Sequence, residues 1–170
     1  MKVIKLDHIG IAVKNMDEAL AFYRDTLGIS SVDTEVIEDQ KVKVAFLPLG
    51  DTELELLEST SPDGPVAKFI EKRGEGIQHV ALRVENIEEA LKELKEKDVR
   101  LIDQQPRYGA GKAKIAFLHP KATGGILLEI SDKKYCVCDL NLVETFLFFC
   151  FFLKRYSQEL RIWIVCFEST

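Results

Sequence analysis

The sequence predicts an α+β fold: two βαβββ modules paired into one domain, followed by a hydrophobic C-terminal extension. Three observations predict it. The segment Asp7–Leu20 (DHIGIAVKNMDEAL) recurs as Gln78–Leu91 (QHVALRVENIEEAL), with six of 14 positions identical at an offset of 71. The same offset aligns Lys41–Leu47 (KVKVAFL) with Lys112–Leu118 (KAKIAFL), with five of seven identical, and three extra residues later ELELLES at 53–59 meets ILLEIS at 126–131. Finally, composition changes near residue 134. An internal repeat is a statement about fold, because each copy is one supersecondary unit that needs a neighbour to bury its apolar face.

The units run from about 3 to 58 and from about 76 to 131, and each reads the same way. Each opens with a strand of β-branched and small residues, Val3–Val13 or Ile77–Val84. A helix follows. Asn15 with Glu18, and Asn86 with Glu89, have the shape of a capping box with Asn in place of Ser or Thr. Met16, Ala19, Leu20, Tyr23 and Leu27 share one helical face, and Gly28 is the expected C′ residue; Ile87, Ala90, Leu91 and Leu94 repeat that face. Strands are predicted near 33–38, 41–48 and 53–58, and near 100–104, 112–118 and 125–130. Between the units, Ser61–Pro65 reads as a turn, Pro65 as the start of a helix over 66–72, and Gly74-Glu75-Gly76 as its end.

The chain has 170 residues, with 46% hydrophobic, 30% charged and a net charge of −5, the balance of an ordinary globular domain. That charge gives no reason to expect a nucleic-acid partner. All four cysteines, Cys136, Cys138, Cys150 and Cys166, lie in the last 35 residues. Residues 1–133 therefore contain no disulfide, thiolate metal site or cysteine nucleophile, which fits a cytoplasmic protein. No signal peptide is expected, because no long apolar region follows the N-terminal charges.

Residues 134–170 form an atypical tail. They hold six of the ten Phe and the only Trp, and Phe146–Leu153 (FLFFCFFL) is apolar throughout. A membrane span needs about 20 such residues, so this run is too short. Three readings stand: an irregular addition such as translation past the natural end of the gene, an extra helix packing on the body or a partner, and a membrane-surface anchor. Membrane contact is the least favoured. Cys136 and Cys138 have no second pair at zinc-site spacing.

The repeat also pairs residues that carry chemistry. It sets His8 opposite His79 and Glu55 opposite Glu129. If the modules pack about a pseudo-twofold axis, two imidazoles and two carboxylates converge on a shared cleft. Such a set suits one divalent transition metal, with Co, Mn, Ni, Fe and Zn as candidates. A lone strand histidine is usually structural; recurrence in the duplication raises these four above that. Glu53 shares a strand face with Glu55 and is its rival, although register against Glu129 favours Glu55. Glu58 faces the other way. His119 aligns with Pro48 and is either a substrate-side residue or structural.

These units, with His near the first strand and Glu on the last, resemble the vicinal oxygen chelate (glyoxalase-like) superfamily. Within it the chain is similar to the methylmalonyl-CoA epimerases, on LDHIGIAV at 6–13, KVKVAFLPLGDTELELLE at 41–58, SPDGPVAKFIEKRGEGIQHVALRV at 61–84 and GAGKAKIAFLHPKATGGILLEI at 109–130. The resemblance covers about 1–132 and implies one such domain over 1–133. It implies a metal held by His8, Glu55, His79 and Glu129, an acyl-CoA substrate, a homodimer and a place in propionate metabolism. It implies epimerisation of (R)- and (S)-methylmalonyl-CoA: a proton between thioester carbonyl and carboxylate is removed, the enolate is stabilised by the metal, and the proton returns on the opposite face. Glu129 is the implied base. Some members carry Gln at the Glu55 position, and some carry Glu where Lys43 aligns. Lys43 is expected to meet the substrate carboxylate or solvent, which leaves the second base open. Gln78 stands where many members have His and, by strand parity, faces away from the ligands. Arg107, Gly109, Gly111 and Lys112 lie in a loop that reads equally as a CoA-phosphate site or a simple hairpin.

The same architecture serves a glyoxalase I-type lactoylglutathione lyase, also with four ligands. An extradiol dioxygenase needs two His and one carboxylate, so the extra Glu argues against it. A metal-free protein of this fold that binds a small molecule needs no matched ligands, and bound metal separates it from the enzymes.

Overall fold

Both modules fold as the repeat predicts. The computed structural model describes residues 1–30 and 33–132; the expectations for the tail lie outside the described residues. The first module comprises β1 (Val3–Val13), α1 (Met16–Leu20, continued by a π-helical turn over Ala21–Thr26), β2 (Thr34–Ile37), β3 (Val42–Leu49) and β4 (Thr52–Ser59). After α2 (Pro65–Arg73) the second comprises β5 (Gly76–Val84), α3 (Ile87–Glu96), β6 (Arg107–Tyr108), β7 (Lys114–Leu118) and β8 (Leu128–Asp132). No described helix is long and apolar enough to cross a membrane.

The eight strands form one mixed sheet in the order β2-β3-β4-β1-β5-β8-β7-β6. Each module supplies four neighbouring strands. The modules join through the antiparallel β1–β5 pair, while β1 pairs parallel with β4 and β5 parallel with β8. The sheet curls until its ends meet: Gln40 Nε2 donates to the Tyr108 carbonyl at 3.0 Å, and the Gly111 N–H donates to Glu35 Oε2 at 2.8 Å.

The helices start where the caps predict. Asn15 Oδ1 accepts from the N–H groups of Asp17 (3.0 Å) and Glu18 (3.1 Å), and Asn86 Oδ1 accepts from that of Glu89 (3.0 Å). Gly28, at φ +72°, takes the C′ position as expected. The two outer cores are copies of each other. Val13, Met16, Leu20, Ala45, Leu47 and Leu56 pack α1 on the first module; Val84, Ile87, Leu91, Ala116, Leu118 and Ile130 occupy the matching places under α3. A third cluster, Ala12, Val42, Val44, Leu57 and Val66, packs α2 against the inner face of the first module.

Two expectations need correction. The strand predicted over 100–104 is only a bridge from Leu101 to Leu118; β6 forms later, at Arg107–Tyr108. Leu27 is 54% exposed rather than on the packed face, because the π-helical turn after Leu20 shifts the helical register.

Candidate metal centre

His8 lies on β1 and His79 on β5, the two strands that join the modules. In their ladder His8 pairs with Ala81, and Gly10 pairs with His79. Each imidazole therefore faces a small residue that is the repeat counterpart of the other. Gly10 has a specific reason to lack a side chain: a Cβ there would stand 2.2 Å from His79 Cε1. The carboxylates follow the same symmetry. Glu55 pairs with Gly10 across β1–β4, and Glu129 pairs with Ala81 across β5–β8. This register makes Glu55 the structural twin of Glu129. Glu53 pairs with His8 instead, but remains close enough to group with His8 and Glu55. Glu58 lies on the other face, accepting from the Met16 N–H at 3.4 Å.

The four side chains are buried together. His8 Nε2 is 3.0 Å from His79 Nε2, 3.6 Å from Glu55 Oε2 and 3.8 Å from Glu129 Oε1; His79 Nε2 is 3.7 Å from Glu129 Oε2. Metal ligands about 2.1 Å from one ion and at right angles stand about 3 Å apart, so the spacings among His8, His79 and Glu129 fit a shared cation, and Glu55 joins them from the side of His8. The donor set fits as well. Glu129 Oε1 is buried and accepts no hydrogen bond among the described residues. Burial, then the charges of Glu55 and Asp7, hold the Glu129 carboxyl well above its usual range. Burial, then His8 and Arg107, push the His79 imidazole down to about 3, so it is neutral at physiological pH. A cation at this point would compensate the carboxylates and use the neutral nitrogens.

Around the centre lies a cavity of about 250 Å³. Its first-module wall is aliphatic, with Val42, Val44 and Leu57, and Pro65 and Val66 of α2 also line it. On the second-module side Phe117 meets His79 edge to face at 5.5 Å, and the Arg107 guanidinium lies 5.3 Å from the Phe117 ring centre. Asp7, Arg83 and Ser131 are buried beside the centre, and Arg83 is ion-paired with Asp7.

The structure separates the remaining candidates. Lys43 sits between Val42 and Val44, whose side chains enter the cavity; strand alternation turns Lys43 to the opposite face, across from Glu58. It is not positioned to meet a substrate in this cleft. Arg107 lines the cavity near the centre. Gly109, Gly111 and Lys112 belong to the turn that crosses to β2. A Cβ on Gly109 would meet Ile115 Cδ1 at 2.7 Å, and Gly111 adopts φ +60°, so both glycines have local structural reasons. His119 lies outside the cavity, and its Nδ1 accepts from the Lys121 N–H at 3.0 Å as the cap of a short turn. Gln78 departs from its parity: it lines the cavity, with Oε1 2.5 Å from His79 Nδ1. Sequence reasoning missed Gly10, Asp7, Arg83 and Phe117. The repeat carried a signal for three of them: Gly10 is the small counterpart of Ala81, Asp7 the counterpart of Gln78, and Phe117 the counterpart of Phe46.

Known proteins resemble this chain in sequence and fold. The chain is 44% identical over 130 residues to the Bacillus subtilis protein YqjC, covering 76% of this chain and 93% of that one. It is 38% identical over 130 residues to the ethylmalonyl-CoA/methylmalonyl-CoA epimerase of Cereibacter sphaeroides, covering 75% and 97%. A solved methylmalonyl-CoA epimerase in complex with methylmalonyl-CoA and NH4+ superposes with a TM-score of 0.75 at 36% identity, covering 78% of this chain and 96% of that one. Residues 7–117 match the family described as the Glyoxalase/Bleomycin resistance protein/Dioxygenase superfamily. With two βαβββ modules and paired His and Glu side chains at their junction, the chain belongs to that superfamily.

Proposed function

We propose that the protein is a metal-dependent epimerase of methylmalonyl-CoA. The observation that carries this reading is the convergence of His8, His79, Glu55 and Glu129 within one buried cleft, in a chain whose relatives include epimerases of malonyl-type thioesters. These four residues would hold one divalent transition metal. When bound, the ion supplies Lewis acidity toward the substrate oxygens.

The chain's own residues supply the rest. Glu129 is the proposed base, from a carboxylate whose burial strengthens its hold on a proton. Its oxygen that accepts no hydrogen bond is the atom available to receive that proton. The aliphatic wall of Val42, Val44 and Leu57 excludes water from the reacting carbon. Arg107 is the cationic group placed to meet an anionic substrate group beside the centre. Lys43 has no part in this chemistry. The active domain is residues 1–133, working in the cytoplasm as a homodimer.

Deuterium uptake at C2 of methylmalonyl-CoA from D2O tests the reading, with chelated enzyme as control. Uptake restored by Co or Mn supports it. Glu129→Gln should lower exchange by about 10²-fold or more while the fold persists. Absence of uptake in folded, metal-loaded protein would discard the epimerase reading in favour of a glyoxalase-type lyase.

A further inference from the structure

A regular strand would turn Gln78 away from the ligand face of His79. A β-bulge prevents this. In the β1–β5 ladder Gly10 pairs with His79 and Ile11 with Ile77, which leaves Gln78 as the extra residue. The repeat counterpart of Gln78 is Asp7, and it too is an extra residue, between the pairs Leu6–Leu82 and His8–Ala81. Both bulge residues line the cavity. Gln78 Oε1 stands 2.5 Å from His79 Nδ1, and Asp7 Oδ2 stands 3.8 Å from His8 Nδ1. The duplication has kept one backbone device and placed an amide oxygen within hydrogen-bond distance of one histidine and a more distant carboxylate near the other.

An amide oxygen only accepts, so this contact is a hydrogen bond in the tautomer whose Nδ1 carries the proton and whose Nε2 keeps its lone pair. That lone pair lies on the side of His8 Nε2 and Glu129. We propose that Gln78 is a positioning residue, which fixes the tautomer and ring orientation of His79 so that Nε2 is presented as a ligand. The inference rests on the metal-centre reading.

The test has two readouts. Long-range 1H–15N correlation spectra of the metal-free protein report the His79 tautomer. Wild type should show the Nδ1–H form. Gln78→Leu should show loss of that form, and Gln78→Glu, which keeps both shape and acceptor, should retain it. Competition between protein and a chelator for Co2+ gives the second readout: Gln78→Leu should weaken binding by about 10- to 100-fold, with Gln78→Glu restoring it. An unchanged tautomer and unchanged Co2+ affinity in Gln78→Leu would overturn the proposal. So would loss of the Nδ1–H form in Gln78→Glu, a result that can be read even if the leucine variant does not fold. If wild type binds no Co2+ while its His79 tautomer still depends on Gln78, the metal reading fails and the positioning role stands.

Discussion

Gly10 contributes no side chain to the cleft, yet it decides where His79 lies. A methyl group there would overlap the imidazole, whose nearest atom is 2.2 Å from the Cβ position. The neighbour that must yield is a ring held between Gln78 and Phe117, not a flexible chain end. Gly10→Ala should therefore displace His79 and weaken Co2+ binding by at least about tenfold, the scale expected when a ligand loses its orientation; isothermal titration would measure it. Titration adds a second residue-scale prediction. Glu129 holds a proton well above the ordinary carboxylate range, whereas His79 is already neutral above about 3. In the metal-free protein the raised Glu129 affinity means that stability is lost as pH rises through the unfolded value toward the folded one. The depressed His79 acts in the opposite sense, losing stability as pH falls from about 6.5 toward about 3. Metal must displace the Glu129 proton, so its binding tightens as pH rises. The increase in melting temperature caused by Co2+ should be larger at pH 8 than at pH 5, and Glu129→Gln should flatten that difference.

The elements carry the duplication into packing. Met16 and Ile87 are fully buried counterparts at the first turn of α1 and α3, each under its own module. Truncating Ile87 to Ala should cost about 2–5 kcal/mol through lost burial and the cavity left behind. Urea unfolding would measure it, and the native cleft should still bind metal because α3 lies on the outer face. Much of this was legible in the sequence. The helix caps, the apolar faces and most of the strands follow from local patterning, and the repeat shows which residues correspond. The departures in the strands share one cause. The shift of β6 to 107–108 and the bulges at Asp7 and Gln78 are set by pairing with other strands, which periodicity within one element does not encode.

At the scale of the whole molecule, the cleft exists because β1 and β5 pair antiparallel and bring the copies face to face. Every proposed ligand lies between His8 and Glu129, inside the matched repeat. A chain ending at Lys133 should therefore fold, bind metal and retain activity within a few-fold of the full chain. Loss of solubility on truncation, seen by sedimentation, would show that residues 134–170 belong to the core.

Repetition and periodicity are properties of the chain order, and they mark out the two modules, the capped helices and the equivalence of His8 with His79 and of Glu55 with Glu129. It took the folded chain to show that His8 stands within 4 Å of His79, Glu55 and Glu129, that Lys43 faces away, that Arg107 enters the cavity and that Gln78 stands behind His79. Those facts depend on how one strand is registered against another. A single bulge or a one-residue shift moves a side chain to the opposite face without leaving a mark in the local pattern.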